Sequence, residues 1–301
     1  MWESLLESIE ITKQNVSFAE EVVLGSIAGF VMCVFGHPFD TLKTRMQVTE
    51  QSILQVVRSG FAKDGVLSFY KGIVYPLASN PALNAVIFSS YEISKTYLSL
   101  HSDFSKYTIV GLAGGFAGFV SSFIACPTEL LKTKKQTQGK ELFYKSYPDM
   151  IKKLYRVSGT RGIFQGYYVT FFREIIGYGA QFLGYEVSLD YFSKIDENGD
   201  RHSSISTYLL AGSIAGVCCW TSSFPLDVLK SRVQGQIITE KIPIMPNGRA
   251  LTEARYLYTT YGPVGFWIGI APILGRAVIA NAFGFLAWEF ARKHLYSGRA
   301  K

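Results

Sequence analysis

Charge is scarce in this chain. Asp, Glu, Lys and Arg make up 18% of its 301 residues, against roughly 25% in soluble domains. With 48% apolar and 15% aromatic residues, that scarcity excludes a disordered, self-repelling tail protein. Cysteine is scarce too. Cys33, Cys126, Cys218 and Cys219 all lie in apolar stretches without metal-ligand spacing, so they read as reduced packing residues rather than as a disulfide framework. Only His37, His101, His202 and His294 carry imidazoles, and they are scattered. No nucleophile–base set or metal cluster emerges, so neither an enzyme nor a metal site is expected. The 28 glycines and 10 prolines have no collagen period. The first residues, Met-Trp-Glu-Ser-Leu-Leu-Glu, lack a basic segment, so neither a secretory signal nor an ordinary transit peptide is expected there.

What the chain has instead is long uncharged runs. Tyr107 to Pro127 spans 21 residues without charge, Ser203 to Leu226 spans 24, and Gly72 to Tyr91 spans 20. Val22 to Phe39 carries only His37. Gly162 to Tyr185 is interrupted only by Arg173 and Glu174, and Gly269 to Trp288 only by Arg276. About 20 helical residues cross a bilayer core, so these runs are six candidate spans. Lipid leaves unpaired backbone groups no partner, which makes helices the expected form. The net charge of +7 sits in loops flanking the runs, a topology signal rather than a nucleic-acid footprint.

The chain also repeats itself. Pro38-Phe-Asp40-Thr-Leu-Lys43-Thr-Arg45-Met-Gln47 recurs as Pro127-Thr-Glu129-Leu-Leu-Lys132-Thr-Lys134-Lys-Gln136, and again as Pro225-Leu-Asp227-Val-Leu-Lys230-Ser-Arg232-Val-Gln234. Glycines stand 13 and 9 residues before each proline: Gly25 and Gly29, Gly114 and Gly118, Gly212 and Gly216. Such small-xxx-small pairs let helix backbones approach closely. A second motif follows each first one and ends in Gly72, Gly166 or Gly269, with Tyr70, Phe164 or Trp267 nearby. The acid of an aromatic–acid pair lies twenty residues further on: Tyr91-Glu92, Tyr185-Glu186, Trp288-Glu289. Three repeats are expected, over 18–100, 104–194 and 203–297, each with an odd helix, a polar loop holding a short amphipathic helix, and an even helix.

These motifs resemble the signature of the mitochondrial carrier family, over the whole chain apart from short ends. The resemblance implies an all-α membrane protein: six transmembrane helices in three pseudo-symmetric repeats with short amphipathic matrix helices, in the mitochondrial inner membrane. Each helix proline should kink its helix, with an acid and a base three residues apart just beyond. Around a threefold bundle these can pair as Asp40 with Lys132, Glu129 with Lys230 and Asp227 with Lys43. That ring is similar to the family's matrix gate, with Gln47, Gln136 and Gln234 as its braces. The opposite gate resembles an aromatic-acid-x-x-base motif. Tyr91-Glu92-x-x-Lys95 and Trp288-Glu289-x-x-Arg292 fit it. Tyr185-Glu186-x-x-Leu189 lacks the base, so a weaker cytosolic gate is expected. Gly72, Gly166 and Gly269 stand where the family binds cardiolipin, at helix N-termini whose free N–H groups suit phosphate.

Charges inside a membrane helix are expensive, so they mark function by default. Counting back 12 residues from each gate aromatic gives Ser79, Arg173 and Arg276, one depth on the three even helices and the family's substrate level. Arg173 and Arg276 can clamp a carboxylate, Glu174 can hold a cation, Trp220 can offer its ring to an ammonium group, and Ser79 and Asn80 offer hydrogen bonds. Arg173-Glu174-Ile-Ile-Gly177-Tyr178 resembles the ornithine-type basic amino acid carriers. Gly36-His37-Pro38-Phe39-Asp40-Thr41 and Trp220 resemble both those and the carnitine/acylcarnitine carriers. The resemblance thus implies a monomeric carrier of a small zwitterionic carboxylate by alternating access and exchange, with membrane lipid as partner and no nucleic acid. The alternative is a carrier-fold structural subunit of a larger inner-membrane assembly.

Overall fold

A computed structural model describes residues 18–137, 144–195, 201–202, 205–236 and 248–297. The described chain is almost wholly helical. In the first repeat, α1 (Phe18–Thr49) is followed by α2 (Ile53–Asp64), a 3-10 turn (Gly65–Tyr70) and α3 (Val74–His101). In the second, α4 (Lys106–Thr137) leads to α5 (Tyr147–Ser158), the single turn α6 (Thr160–Ile163) and α7 (Tyr167–Phe192). In the third, α8 (Ile205–Gly235) leads to α9 (Gly248–Tyr261), a 3-10 turn (Gly262–Trp267) and α10 (Ile270–Ser297). The one departure among the described residues is a two-residue antiparallel ladder between α7 and α8, pairing Lys194 with His202 and Ile195 with Arg201.

Local chemistry explains the short helices. Ser52 and Gln55 form a capping box at the start of α2: the Ser52 Oγ accepts from the Gln55 N–H at 3.4 Å, and the Ser52 N–H donates to Gln55 Oε1 at 2.9 Å, satisfying two orphan donors reciprocally. Ser146 caps α5 by accepting from the Asp149 N–H at 3.3 Å. Met150 and Leu154 on one face of α5 are fully covered by Leu130, Leu131 and Tyr144, which docks that amphipathic helix onto the end of α4. The long helices α1, α4 and α8 continue through Pro38, Pro127 and Pro225 rather than ending there.

Two compact units divide the chain. One comprises residues 1–41 and 271–301, the other 42–270. In the first, α1 touches α10 around Phe35 to Asp40. Phe35 stacks on Phe283 with centroids 3.9 Å apart, and a Cβ at Gly36 would stand 3.0 Å from the Arg276 Nε. In the second, α4 packs on α3 and α7, and α7 packs on α8. Ile87, Tyr91, Val110, Ala113 and Ala117 form the buried seam, with Leu83, Tyr178 and Phe182 against it. A Cβ at Gly118 would lie 2.4 Å from the carbonyl oxygen of Glu174, and one at Gly114 would lie 2.8 Å from that of Tyr178. Only glycine permits α4 and α7 to meet so closely. The other described members of the glycine pairs, Gly29, Gly212 and Gly216, have no neighbour within 4 Å of such a Cβ. The small-xxx-small pattern therefore serves close packing in the second repeat, where α4 is flanked on both sides.

Among the described residues one helix, Lys106–Thr137, is long and apolar enough by composition alone to cross a membrane. The uncharged run in α3 falls short for a plain cause. The run in α3 holds Ser79, Asn80, Asn84, Ser89 and Ser90, and freedom from charge is not the same as apolarity.

Candidate functional site

The gate motifs and the arginine–glutamate pair of α7 come together in the second unit. Lys43 sits on α1, Glu129 on α4, Arg173 and Glu174 on α7, and Asp227 and Lys230 on α8. Lys43 Nζ lies 2.5 Å from Asp227 Oδ2, and Lys230 meets Glu129. Arg173 Nη2 donates to both oxygens of Glu129 at 3.0 and 3.1 Å, contacts Glu174, and its Nη1 stands 3.9 Å from Asp227. Three carboxylates and three cations thus interlock across four helix junctions. Asp227 is 3% exposed, Lys43 9% and Glu174 4%. Buried ions are tolerated only when paired and hydrogen-bonded, and these are both.

Secondary contacts brace the cluster. Gln47 Nε2 donates to Asp227 Oδ2 at 3.3 Å and to the Ile268 carbonyl at 3.2 Å. Gln234 Nε2 donates to Thr170 Oγ1 at 3.4 Å, and Gln136 is fully buried. Lys43 Nζ stands 4.7 Å over the Trp220 ring. The cation that Trp220 receives here is therefore Lys43 of the repeated motif. Gly72, Gly166 and Gly269 all have positive φ, at 93°, 79° and 88°, a region open to glycine at little cost. Each packs on the glutamine of the next repeat: a Cβ would lie 3.5 Å from Gln136 Cγ, 3.2 Å from Gln234 Cγ and 3.3 Å from Gln47 Cγ respectively.

In the first unit, Arg276 of α10 places Nε 3.0 Å from Asp40 Oδ1 of α1, and remains 35% exposed. Lys132 is half-buried on α4, in the other unit from Asp40. On α3, Ser79 is half-buried and Asn80 exposed. At the opposite ends of the even helices, Tyr91 is buried and stacks on Phe182 at 3.8 Å, Glu92 is exposed, and Lys95 lies 5.4 Å over the Tyr91 ring. Tyr185 is half-buried. Glu186 receives Lys106 Nζ at 2.6 Å, and the same ammonium donates to both oxygens of Asp190 at 2.9 and 2.8 Å. The side chains of Trp288, Glu289 and Arg292 lie outside the described residues.

The sequence analysis missed Lys106. The aromatic-acid-x-x-base pattern looks for a cation three residues beyond the acid and finds Leu189. The cation comes instead from the start of α4. A lone lysine opening an uncharged run, Lys106 before Tyr107, was the available signal. Among the described residues, no group of His, Cys, Asp and Glu is placed to hold a metal ion.

The match to a mitochondrial carrier protein family model covers residues 14–102, 105–196 and 201–299, one segment per repeat. The chain belongs to the mitochondrial carrier family. Carriers of this family move small solutes in mitochondrial membranes and are not enzymes. Among similar proteins, this carrier is 34% identical over 276 residues to a mitochondrial basic amino acids transporter of Rattus norvegicus, covering 89% of this chain and 87% of that one. It is 30% identical to a mitochondrial carnitine/acylcarnitine carrier-like protein of Arabidopsis thaliana, covering 92% and 98%. It is 29% identical to a glutamate/glycine mitochondrial carrier of Schizosaccharomyces pombe, covering 92% and 94%.

Proposed function

We propose that this chain is an inner-membrane carrier of a small zwitterion bearing a carboxylate, an amino acid or a carnitine-type ester, moved by alternating access in exchange. Its six long helices span the bilayer as a monomer. Lys43, Asp227, Glu129, Lys230, Asp40 and Lys132, braced by Gln47, Gln136 and Gln234, form the matrix gate. Tyr91, Glu92, Lys95, Tyr185, Glu186, Trp288, Glu289 and Arg292 form the cytosolic gate. Arg173 and Arg276 take the substrate carboxylate and Glu174 its positive group, with Ser79, Asn80 and Trp220 alongside. Cardiolipin phosphates rest on the N–H groups that follow Gly72, Gly166 and Gly269.

The observation that carries this reading is the direct contact of Arg173, itself paired with Glu174, with the gate acid Glu129. A solute that engages Arg173 must alter the ion pairs of the gate, and only such differential interaction can shift a conformational equilibrium. The similar carriers named above handle carnitine esters, basic amino acids, or glutamate and glycine. All of these join a carboxylate to a cationic nitrogen. A nucleotide would want several cavity cations and no Glu174.

Uptake into proteoliposomes, with carnitine, arginine, ornithine, glutamate, glycine and ADP each outside and inside, tests the reading. Exchange of at least one zwitterion, abolished in Arg276→Ala while the variant still folds, is the expected result. Exchange of ADP alone, or full activity in Arg276→Ala, refutes the substrate assignment.

A further inference from the structure

The bases Arg45, Lys134 and Arg232 stand two residues beyond the gate lysines, and nothing so far uses them. Each crosses to the following repeat in the same sense. Arg45 Nε donates to the Gln136 carbonyl at 3.0 Å, Lys134 Nζ to the Gln236 carbonyl at 2.6 Å, and Arg232 Nη1 to the Gln47 carbonyl at 3.4 Å. These carbonyls lie in the last turns of α4 and α1 and, for Gln236, just past the end of α8. There a helix leaves C=O groups unsatisfied and presents the negative end of its dipole. Each cation therefore caps a helix of the neighbouring repeat.

The three junctions are not equal. Arg45 also donates within its own repeat, to Ser68 Oγ at 2.9 Å and to the Ser68 carbonyl at 2.8 Å. Arg232 instead holds two carboxylates. Its Nε meets Glu253 Oε2 of its own repeat at 2.7 Å, and its Nη1 meets Glu50 Oε1 of the first repeat at 2.5 Å. Glu50 stands just past α1 at φ 58°, a left-handed conformation uncommon outside glycine. From there it also accepts from the hydroxyls of Tyr256 at 3.0 Å and Tyr261 at 2.8 Å. Tyr261 fills the position that the first copy gives to Asp64 and the second to Ser158. An acid there would repel Glu50, whereas a phenol donates to it. The change at Tyr261 and the acid at Glu50 make one interaction, and it joins the third repeat to the first.

We propose that Arg45, Lys134 and Arg232 form a second lock across the repeat junctions on the gate side, and that Glu50 reinforces the junction between the third and first repeats. The proposal rests on the carrier reading for what opening means. When the matrix mouth opens, each cation must leave its neighbour's carbonyl, and the contacts of Glu50 must break with them.

The test uses the full-length carrier with its four cysteines replaced and one placed by Ser231→Cys, a position buried beside Arg232. A membrane-impermeant maleimide reads opening as a labelling rate. Glu50→Gln raises that rate about fivefold, the scale of a partly exposed ion pair. Tyr261→Phe raises it by less, and the double variant labels no faster than Glu50→Gln alone, because both act through one carboxylate. Labelling of Glu50→Gln at the parent rate, or additive effects of the two substitutions, overturns the proposal. If Glu50→Gln does not fold, Tyr256→Phe and Tyr261→Phe carry the same test with single exposed hydroxyls. Faster labelling without uptake of any solute leaves the lock standing and defeats the carrier reading. Uptake with unchanged labelling defeats the lock alone.

Discussion

Replacing Asp227 with Asn removes one charge from the ion-pair cluster while keeping the side chain's size. Asn can still accept from Gln47 Nε2, which donates to the carboxylate at 3.3 Å. What is lost is the attraction to Lys43 at 2.5 Å and to Arg173 at 3.9 Å. Two unit charges about 3 Å apart attract by about 5 kcal/mol at an effective dielectric near 20, and stripping one partner from a buried pair costs about 3–5 kcal/mol. Asp227 is 3% exposed, so solvent does little to soften the loss. Taking about 3 kcal/mol, and about 1.4 kcal/mol per factor of ten, the paired state loses roughly a hundredfold in population relative to any state in which the pair is open. Two measurements read this: the melting temperature of the purified protein, which falls, and thiol labelling at the gate-side mouth, which rises. The double exchange Lys43→Asp with Asp227→Lys restores the ion pair but takes the ammonium away from Trp220, 4.7 Å below it, and sets a cation against Arg173, so it should recover only part of the loss. If Asp227→Asn melts and labels like the parent, the cluster does not hold the two helices together and the gate argument fails.

Gly118→Ala places a Cβ 2.4 Å from the Glu174 carbonyl. It should lower thermal stability by about 1–3 kcal/mol, whereas Gly212→Ala, with nothing within 4 Å, should be near neutral; equal effects in melting experiments would contradict the α4–α7 packing. Lys106→Gln frees Glu186 and Asp190 from their shared ammonium, so Glu186 becomes available to the cytosolic gate and accessibility at that mouth should drop. Unchanged labelling there would show that Lys106 is a surface tether only. Burial pushes the Glu50 carboxyl up, but hydrogen bonds from Tyr261, Arg232 and Tyr256 outweigh it and hold the group below its ordinary value. The stability it contributes is present above the ordinary glutamate pKa, about 4.3, and is lost as pH falls through the lower folded value. The melting difference between parent and Glu50→Gln should therefore be largest near neutral pH and vanish in acid; a constant difference would refute the linkage.

Most of the fold was legible because it is written three times. A proline, acid, base and glutamine at fixed spacing set the odd helices, and a glycine at positive φ marks the start of each even helix. The pairs Lys43–Asp227 and Lys230–Glu129 followed from that symmetry. What the repeats concealed lies where the three copies differ. The motif supplies a second base in every copy but says nothing of its partner, which is a neighbour's backbone carbonyl and leaves no trace in side-chain identity. Glu50 lies outside the repeated motif altogether. Symmetry gives Arg173 and Glu174 a pocket role, yet Arg173 also pairs with Glu129 and Glu174 pairs with Arg173. Spacing along one helix sets depth and not which oxygen a guanidinium reaches.

That engagement bears on why a zwitterion is the fitting solute. Lys43, Arg173 and Lys230 balance Glu129, Glu174 and Asp227, so the cluster is neutral when nothing is bound. Opening it strands charges of both signs in a poorly solvated place, where each unpaired ion is costly. An anion alone would relieve the stranded cations and leave the carboxylates exposed to one another; a cation alone would do the reverse. A molecule carrying one carboxylate and one cationic nitrogen can meet a guanidinium and a carboxylate at once, keeping the sum at zero throughout. By this argument Glu174→Gln should shift preference towards simple carboxylates rather than merely slow transport. Competition between a zwitterion and its uncharged-nitrogen analogue, measured in proteoliposomes before and after that substitution, decides the matter: an unchanged preference would mean that Glu174 serves the gate and never meets the solute.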